Sequence, residues 1–483
     1  MRRTLGVAGL LLVPFCYAVA QKPAPVDCAH VLAWLAGDAP NQAIVKVVQQ
    51  RGADLRLTSE LKQELTAAGA TPAFIDVLRR SQRKSAQASA CPAPLVAAAE
   101  DSHKKQFDNA SDIVTALLEK APHSGPLHFA QGYLDQQLGD WDAAFDEYTD
   151  SKQAEPDFGE VHDRLALVFY QGDDGDNAIG EARTALSMDF NDAEAWRMLA
   201  LGHYANEQYD PAINAFKEAL ARDPENPDIY YEMGLVARDE ALMDLAIQSF
   251  QKAIQLNPNL WQAHSSLGAA LGKQKRFSEA IAELDKAKAL SPKEPSIREN
   301  LASVYLAEGQ YDQAIAAYGE LFRIEPKWRH GHDSMARAYM AKDEYDPAIA
   351  QMKLAVEADP ANAAEHRALG QLLLAANHQA DAVRELRIAV ELDPNSAGSH
   401  FSLGTGLLQT DQLPAALQEF QEAVRLEPTA EHHYALAACL MSMGRDREAL
   451  AELQTATKLD PQKQLYHARE EELIRLMRSE TAQ

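Results

Sequence analysis

Most of this chain alternates between apolar runs at helical spacing and short polar breaks. One phrase, Ala-Phe-Lys-Glu-Ala-Leu-Ala-Arg-Asp-Pro ending at Pro224, returns in related form every 34 residues. Stretches in which Val, Ile and Thr alternate with polar residues, as in strands, are scarce. The pattern therefore predicts an all-α chain made of repeated pairs of helices, each about a dozen residues long.

Three columns of residues keep the 34-residue period. The first is a proline that ends each unit, replaced once by Phe190 and followed by a last step of 33 residues: Pro122, Pro156, Pro224, Pro258, Pro292, Pro326, Pro360, Pro394, Pro428 and Pro461. The second, twelve residues earlier, is always alanine: Ala110, Ala144, Ala178, Ala212, Ala246, Ala280, Ala314, Ala348, Ala382, Ala416 and Ala449. The third, a further twelve residues back, contains only Gly or Ala: Ala98, Gly132, Ala166, Ala200, Gly234, Gly268, Ala302, Ala336, Gly370, Gly404 and Ala437.

These columns resemble positions eight, twenty and thirty-two of the tetratricopeptide repeat, and the likeness covers residues 91 to 462. The resemblance implies a right-handed α-solenoid of about eleven helix pairs, which binds protein or peptide segments in a concave groove. Small residues at positions eight and twenty let two helices approach closely. Position twenty-four often carries an aromatic residue, such as Tyr148 or Phe420, that fills the space beside them.

The ends of the chain do not follow the repeat. Residues 21–82 contain three or four short helical patterns and predict a small helical module, with Thr58 and Thr71 as helix caps. Residues 83–93 resemble a linker, residues 94–461 form the predicted solenoid, and residues 462–483 predict a capping helix. That helix is expected to turn Leu465, Leu473, Leu476 and Met477 inward.

The first twenty residues are typical of a secretory signal: two arginines, a short apolar core and Ala18-Val19-Ala20 before Gln21. Export to the periplasm or the cell exterior is therefore expected. An oxidising compartment permits a disulfide between Cys28 and Cys91, although each could equally be an unpaired, small apolar residue. Cys439, within an apolar helical pattern, is expected in the core.

The chain is acidic, with 71 Asp and Glu against 46 Lys and Arg and a formal net charge of -25. Such a field repels phosphate backbones and anionic lipid, so nucleic acid is not an expected partner. The 46% of hydrophobic residues suffice for a folded core. Past the signal, no segment is long and apolar enough to span a membrane.

Histidines form a further column at position four of the repeat: His128, His162, His264, His332, His366, His400 and His433. Trp196, Tyr230 and Arg298 occupy the same position in other units. Equivalent helices lie about 8–10 Å apart, too far for one column to form one metal site. The column is therefore interpreted as packing. Metal-binding and nucleophile motifs are absent from the sequence, so we expect neither a cofactor nor catalysis.

By resemblance to the family, positions two, five, nine and twelve of each first helix face the groove. The aromatic residues predicted there form the candidate partner-binding set: Phe129, Tyr133, Tyr170, Tyr204, Tyr231, Phe401 and Tyr434. Met340, Leu374, Leu408 and Met441 extend this surface, and Glu160, Asp163, Glu194 and Asp228 give its early part an acidic rim. Alternatively, positions nine and twelve only pack between units.

The sequence thus favours a non-catalytic scaffold in the cell envelope that binds protein or peptide segments of unknown identity. Two alternatives stay open. One is an accessory subunit that positions a separate envelope enzyme or a polysaccharide-export complex. The other is a periplasmic chaperone that holds unfolded clients.

Overall fold

The computed structural model describes residues 24–83, 91–328 and 331–480, and every regular element within those ranges is an α-helix. The predicted signal at residues 1–20 and most of the predicted linker lie outside the described residues. The chain divides between Glu240 and Ala241 into two compact units, named here the N-terminal unit and the C-terminal unit.

The N-terminal unit contains thirteen described helices. They are α1 (Cys28–Ala36), α2 (Asn41–Arg51), α3 (Ser59–Ala67), α4 (Pro72–Arg80), α5 (Ala93–His103), α6 (Phe107–Leu118), α7 (Gly125–Leu138), α8 (Trp141–Ala154), α9 (Gly159–Gln171), α10 (Gly175–Met188), α11 (Ala193–Ala205), α12 (Tyr209–Arg222) and α13 (Pro227–Asp239).

The C-terminal unit contains the other fourteen. They are α14 (Met243–Leu256), α15 (Trp261–Lys273), α16 (Phe277–Leu290), α17 (Pro295–Glu308), α18 (Tyr311–Ile324), α19 (His332–Met340), α20 (Tyr345–Ala358), α21 (Ala363–Ala375), α22 (Gln379–Leu392), α23 (Ala397–Gln409), α24 (Leu413–Leu426), α25 (Ala430–Ser442), α26 (Asp446–Leu459) and α27 (Gln464–Glu480).

From α5 to α26 the described helices alternate as first and second members of eleven pairs, with α13 and α14 divided between the units. Within each unit, the two helices of a pair pack on each other and the next pair packs on them. This is the predicted α-solenoid arrangement. Because one pair cannot bury both of its faces, stacking supplies the apolar core.

The small columns lie where the two helices of a pair cross. All eleven alanines at position twenty are fully buried. A Cβ added to Gly132 would lie 2.8 Å from Cδ1 of Tyr148, and one added to Gly404 would lie 2.8 Å from Cδ1 of Phe420. At these two positions glycine leaves the room that the aromatic ring at position twenty-four of the same pair occupies.

A further column appears only in the backbone. The turn between the two helices of each pair contains one residue with positive φ: Lys105, Gly139, Asp173, Glu207, Ala241, Lys275, Gly309, Asp343, Asn377, Asp411 and Gly444. Their φ angles lie between 56° and 86°. This left-handed conformation suits glycine, yet eight of the eleven positions carry a side chain and the strain that goes with it.

Residues 26–83 contain four helices, α1–α4, and hydrogen bonds join the ends of this segment, called here the N-terminal module. Thr58 and Thr71 accept the capping hydrogen bonds of α3 and α4. Three extended stretches meet at Ala53, whose N–H donates to Ser81, while Asp54 donates to the carbonyl of Val26. This pairing fixes both ends of the module to its middle.

One disulfide, between Cys28 and Cys91, joins the start of α1 to the residues before α5, with the two Cα atoms 5.7 Å apart. Cys439 is buried and free, in the core of the C-terminal unit. The disulfide therefore ties the module to the first helix pair.

The C-terminal helix α27 covers the last pair, but not as the sequence predicts. Leu473 is buried and Met477 packs against the same core, whereas Leu465 and Leu476 are about half exposed (49% and 50%). The prediction for Leu465 and Leu476 is wrong: Tyr466 supplies the buried contact next to Leu465, and Leu473 and Met477 supply it near Leu476.

Candidate partner-binding surface

The candidate surface consists of positions two, five, nine and twelve of the first helices, called here the inner face. In each pair the first helix carries these positions, while position-four and position-eight side chains turn towards the second helix. The structure places the seven predicted aromatic residues in three different environments. Two are buried, three are partly exposed in the N-terminal unit, and two are partly exposed in the C-terminal unit.

Phe129 and Tyr133 are covered by the N-terminal module and cannot contact a partner in this structure. Phe129 is fully buried, and Tyr133 is 8% exposed. Gly37, just after α1, lies so close to Phe129 that an added Cβ would be 2.6 Å from its Cδ1 atom. Burial, followed by the carboxylate of Asp38, raises the pKa of Tyr133 to about 12. The predicted binding role of these two residues is thus corrected: they belong to the core.

The apolar contact between module and repeats is continuous. Trp34 of α1 stacks on Phe158 with ring centroids 4.8 Å apart, and Phe158 packs edge-on against Phe129 at 5.1 Å. Ser102 of α5 donates to the carbonyl of Ala36 at 2.6 Å. The same apolar core includes residues from Val26 to Val168, so the module and the first repeats form one hydrophobic body.

Ion pairs surround this contact, with bases of the module facing acids of the repeats. The Nζ atom of Lys46 in α2 lies 2.5 Å from Oδ2 of Asp189 and 3.0 Å from Oδ2 of Asp192. The buried guanidinium of Arg51 donates to both carboxylate oxygens of Asp157 and, at 3.3 Å, to Glu155. Removal of one partner from such a buried pair leaves an uncompensated charge and is costly.

Part of the predicted acidic rim lies beneath α2. Glu160 and Asp163, at positions two and five of α9, are 6% and 3% exposed. Burial raises the pKa of Glu160 to about 7, although Arg164 opposes the shift. Burial, followed by repulsion from Glu160, raises the pKa of Asp163 well above its ordinary value. These two carboxyls therefore belong to the interface with the module.

Beyond the module, the inner face of the N-terminal unit is open. Tyr170, Tyr204 and Tyr231 are each partly exposed. The hydroxyl of Tyr204 donates to Asp239 at 2.5 Å. Arg197 of the same face donates to Glu232 through Nε at 2.7 Å. The open part of this face therefore presents tyrosines among carboxylates.

In the C-terminal unit, Phe401 and Tyr434 are also partly exposed, but each already has a neighbour. Phe401 lies 5.2 Å from the ring of His432, and Tyr434 lies 5.0 Å from the ring of Tyr466 in α27. The capping helix therefore limits access to Tyr434, and Phe401, which also lies 6.1 Å from the ring of Phe420, is only partly exposed.

An apolar cavity of about 400 Å³ opens on the inner face between α19 and α21. Met352 and Leu372 close its base, and Met340 and Ala368 form its apolar wall. Its polar rim is formed by Asp333, Arg337, Glu365 and Gln371. The cavity lies between the first helices of two successive pairs, α19 and α21.

The histidine column at position four is a hydrogen-bonding position. The ring Nε2 of His128, His264, His366 and His400 lies 3.1 Å from the carbonyl oxygen of the position-thirty-two proline, six residues earlier. Trp196 donates to the carbonyl of Phe190 at 3.0 Å, and Arg298 to that of Pro292 at 2.6 Å. Histidine, tryptophan and arginine share the column because each can donate to the unit before it.

The second ring nitrogen of these histidines faces the second helix of the same pair. In all seven units Nδ1 lies 2.5–2.8 Å from a side chain nineteen residues later: Glu147, Glu181, Glu283, Gln351, Glu385, Glu419 or Glu452. Among the described residues, no three His, Cys, Asp or Glu side chains are grouped so that they could hold a metal ion. The column therefore links helices and units.

No helix among the described residues is both long enough and apolar enough to cross a membrane.

Comparison with known proteins places the repeats in a family. Family models described as tetratricopeptide repeat match residues 197–260, 244–295, 273–338, 332–362 and 401–463. No curated protein matches the chain significantly.

Solved structures with related folds include three tetratricopeptide-repeat proteins. MamA is 26% identical over 34% of this chain and 95% of its own, with a TM-score of 0.30. Yeast Tom70 is 15% identical over 79% of this chain and 95% of its own, with a TM-score of 0.38. YrrB, whose structure is described as having an unusual peptide-binding site, is 21% identical over 41% of this chain and 97% of its own, with a TM-score of 0.33.

Because these TM-scores are low, the assignment depends on the family models, the 34-residue columns and the stacked helix pairs. On that evidence, the chain is a tetratricopeptide-repeat protein.

Proposed function

We propose that this protein is a non-catalytic scaffold of the cell envelope, which binds extended protein or peptide segments along the open part of its inner face. The tetratricopeptide repeat is a protein-interaction fold, so the binding of protein partners is the expected function of these repeats. The module covers the first part of the inner face, and the open part begins beyond it.

The cavity between α19 and α21 is the observation that carries this proposal. Its volume of about 400 Å³ lies in the range of ligand pockets. Methionine side chains adapt to apolar groups of different shape, and Met340 is 37% exposed at the mouth. Polar groups on the rim can pair with the backbone of a bound segment. An apolar side chain of a partner would therefore fill the cavity.

Two features support the envelope location. The first twenty residues have the composition of a secretory signal. The Cys28–Cys91 disulfide is of a kind that forms and persists in oxidising compartments. Cell fractionation with N-terminal sequencing tests the location: a mature chain that starts at Gln21 in the envelope fraction is expected, and an uncleaved chain in the cytoplasm would contradict it.

The binding proposal is tested by crosslinking capture from the native envelope fraction with the full mature chain, followed by mass spectrometry. Ala368→Trp fills the cavity without touching the core columns. Ala361→Trp, in an exposed turn nearby, is the matched control. We expect a few stoichiometric partners that Ala368→Trp loses and Ala361→Trp keeps.

Other outcomes distinguish the alternatives. Capture of a broad set of unfolded envelope proteins would favour a client-holding chaperone. A single enzyme or export complex among the partners would favour an accessory subunit. Equal capture by the wild-type chain and the Ala368→Trp variant would show that the cavity is not the binding site.

A further inference from the structure

A second pocket, of about 460 Å³, lies in the N-terminal unit where α9 and α11 end. Three tyrosines and three carboxylates line it: Tyr170, Tyr204, Tyr209, Asp173, Glu207 and Asp239. Tyr170 and Tyr204 belong to position twelve of the inner face, so the pocket continues the open surface beyond the module. It lies outside the cavity between α19 and α21 and differs from it in chemistry.

The rings form the walls of this pocket. The ring centroids of Tyr204 and Tyr209 lie 6.2 Å apart, and the ring planes are inclined by 49°. The two rings are therefore tilted and do not stack face to face. The hydrogen bond from the Tyr204 hydroxyl to Asp239 holds that ring in place. All three rings are partly exposed, and their faces remain accessible from the pocket.

The charge of the pocket is negative. None of its lining residues is Lys, Arg or His. Arg238 donates to Asp239 at 2.8 Å and offsets part of one charge. Asp173 and Glu207, in the two turns at the mouth, are exposed carboxylates. Burial, followed by the bond to Asp239, raises the pKa of Tyr204, which agrees with a negative potential around that ring.

Aromatic faces and carboxylates together favour one class of ligand. A cation over a tyrosine face is attracted by the ring quadrupole, and a nearby carboxylate adds a direct ionic attraction. An anionic group would be repelled by these carboxylates, and a purely apolar group would gain no attraction from them. The pocket volume admits a long side chain together with the backbone next to it.

We propose that this pocket binds the cationic side chain, lysine or arginine, of a partner segment that lies along the inner face. The inference rests on the proposed scaffold function and names the chemistry of its partner. Such a partner would place a basic side chain in this pocket of the N-terminal unit. The strongly acidic chain would also attract it before contact.

The test uses the full chain with ¹³C-labelled tyrosine rings and two short peptides. The probes are Ac-Gly-Ser-Lys-Ser-Gly-NH₂ and the same peptide with norleucine in place of lysine, which keeps the alkyl chain and removes the charge. Tyr170→Phe, Tyr204→Phe and Tyr209→Phe assign the three signals. We expect the lysine peptide to shift those signals and to bind at least fivefold more tightly than the norleucine peptide.

A matched pair of double variants separates the pocket from the general field of the protein. Asp173→Asn with Glu207→Gln removes two charges at the mouth, and Glu119→Gln with Glu225→Gln removes two exposed charges elsewhere in the unit. The first pair should weaken the binding of the lysine peptide about fivefold or more, and the second pair should leave that binding unchanged. Equal weakening by both pairs, or equal binding of the two peptides, would overturn the inference.

The same variants keep this inference distinct from the scaffold proposal. If Ala368→Trp loses captured envelope partners while Asp173→Asn with Glu207→Gln keeps all of them, the cation pocket is overturned and the scaffold stands. If the wild-type chain captures no partner, the scaffold proposal fails. The pocket's preference for cations is still supported if the lysine peptide binds as expected in the peptide titration.

Discussion

The inner face of the first repeats and that of the later repeats are built from the same positions but differ in their exposure. Phe129 and Phe401 both occupy position five, and each lies near a glycine at position eight and an aromatic ring at position twenty-four. Phe129 is fully buried under the N-terminal module, while Phe401 is partly exposed. A repeat position therefore determines how a pair packs, and the neighbours of that pair determine whether its inner face can bind.

The largest expected effect comes from truncation of these two phenylalanines. Phe129→Ala removes a ring from a closed core and should lower the free energy of unfolding by about 3–5 kcal/mol. Phe401→Ala removes a half-covered ring and should cost roughly 1–2 kcal/mol. Urea unfolding followed by circular dichroism, with hydrogen exchange of α7 and α23, measures both. Equal losses would show that the module does not bury the inner face.

Loss of the disulfide is expected to come next. Cys28→Ser with Cys91→Ser frees a segment whose ends are 63 residues apart in sequence, and should destabilise the module by about 2–4 kcal/mol. Hydrogen exchange in α1–α4 should rise while exchange in α23 stays the same. The control is Cys439→Ala, which should affect only the C-terminal unit. Unchanged exchange in α1–α4 would mean that packing alone holds the module.

The pH dependence of unfolding should reveal the contact between the module and the first repeats, which the later repeats lack. Burial lowers the pKa of His30, but the carboxylates of Asp27 and Glu155 outweigh it and raise that pKa to about 9. Glu155 also pairs with Arg51, and the ring of Trp34 lies 5.7 Å from the imidazole. Because the folded pKa is above the unfolded value, this stabilisation is complete below pH 6.5 and is lost as pH rises towards 9.

The buried carboxyls of α9 act in the same direction at lower pH. Glu160, with its pKa raised to about 7, is protonated more readily in the folded chain, so its ionisation destabilises the interface as pH rises from about 4.5 to 7. The urea midpoint of the N-terminal unit should therefore fall between pH 5 and 9. His30→Gln should remove the upper part of that fall, up to about 2 kcal/mol. A wild-type midpoint that rises over this range would contradict the assignment.

The smallest effect should be the same in both regions. Lys105 and Lys275 occupy the left-handed turn position with φ of 60° and 61°, one in each unit. Lys→Gly at either site should stabilise the chain by about 1 kcal/mol, because glycine adopts this conformation without strain. Gly309→Ala should cost a similar amount. A gain in only one unit would show that the turns differ, although their backbones match.

The sequence predicts the packing within each pair because the evidence is local and periodic. Gly132 and Tyr148 are sixteen residues apart, and the same spacing joins Gly404 to Phe420. Each contact is repeated along the chain, so the columns reveal it without a structure. The capping helix was predicted less well, since the direction of Leu465 and Leu476 depends on how α27 lies on the last pair.

The covered inner face could not be predicted in the same way. The contact between Trp34 and Phe158 joins residues 124 positions apart, one in the module without periodicity and the other in the repeats. The only signal in the sequence is complementary charge, with Lys46 and Arg51 in a module that faces an acidic rim. The left-handed turn column was also hidden, because Lys, Asp, Glu, Ala and Asn occupy it as well as Gly.

The position-four hydrogen bonds have a consequence for the length of the array. Each such bond depends only on a donor and on a carbonyl six residues before it, so gain or loss of a whole unit preserves it. Excision of residues 259–292, for example, would place Arg298 six residues after Pro258, in the role that His264 has now. Gene duplication and recombination can therefore lengthen or shorten such a protein in steps of 34 codons while the hydrogen bond between adjacent units is kept.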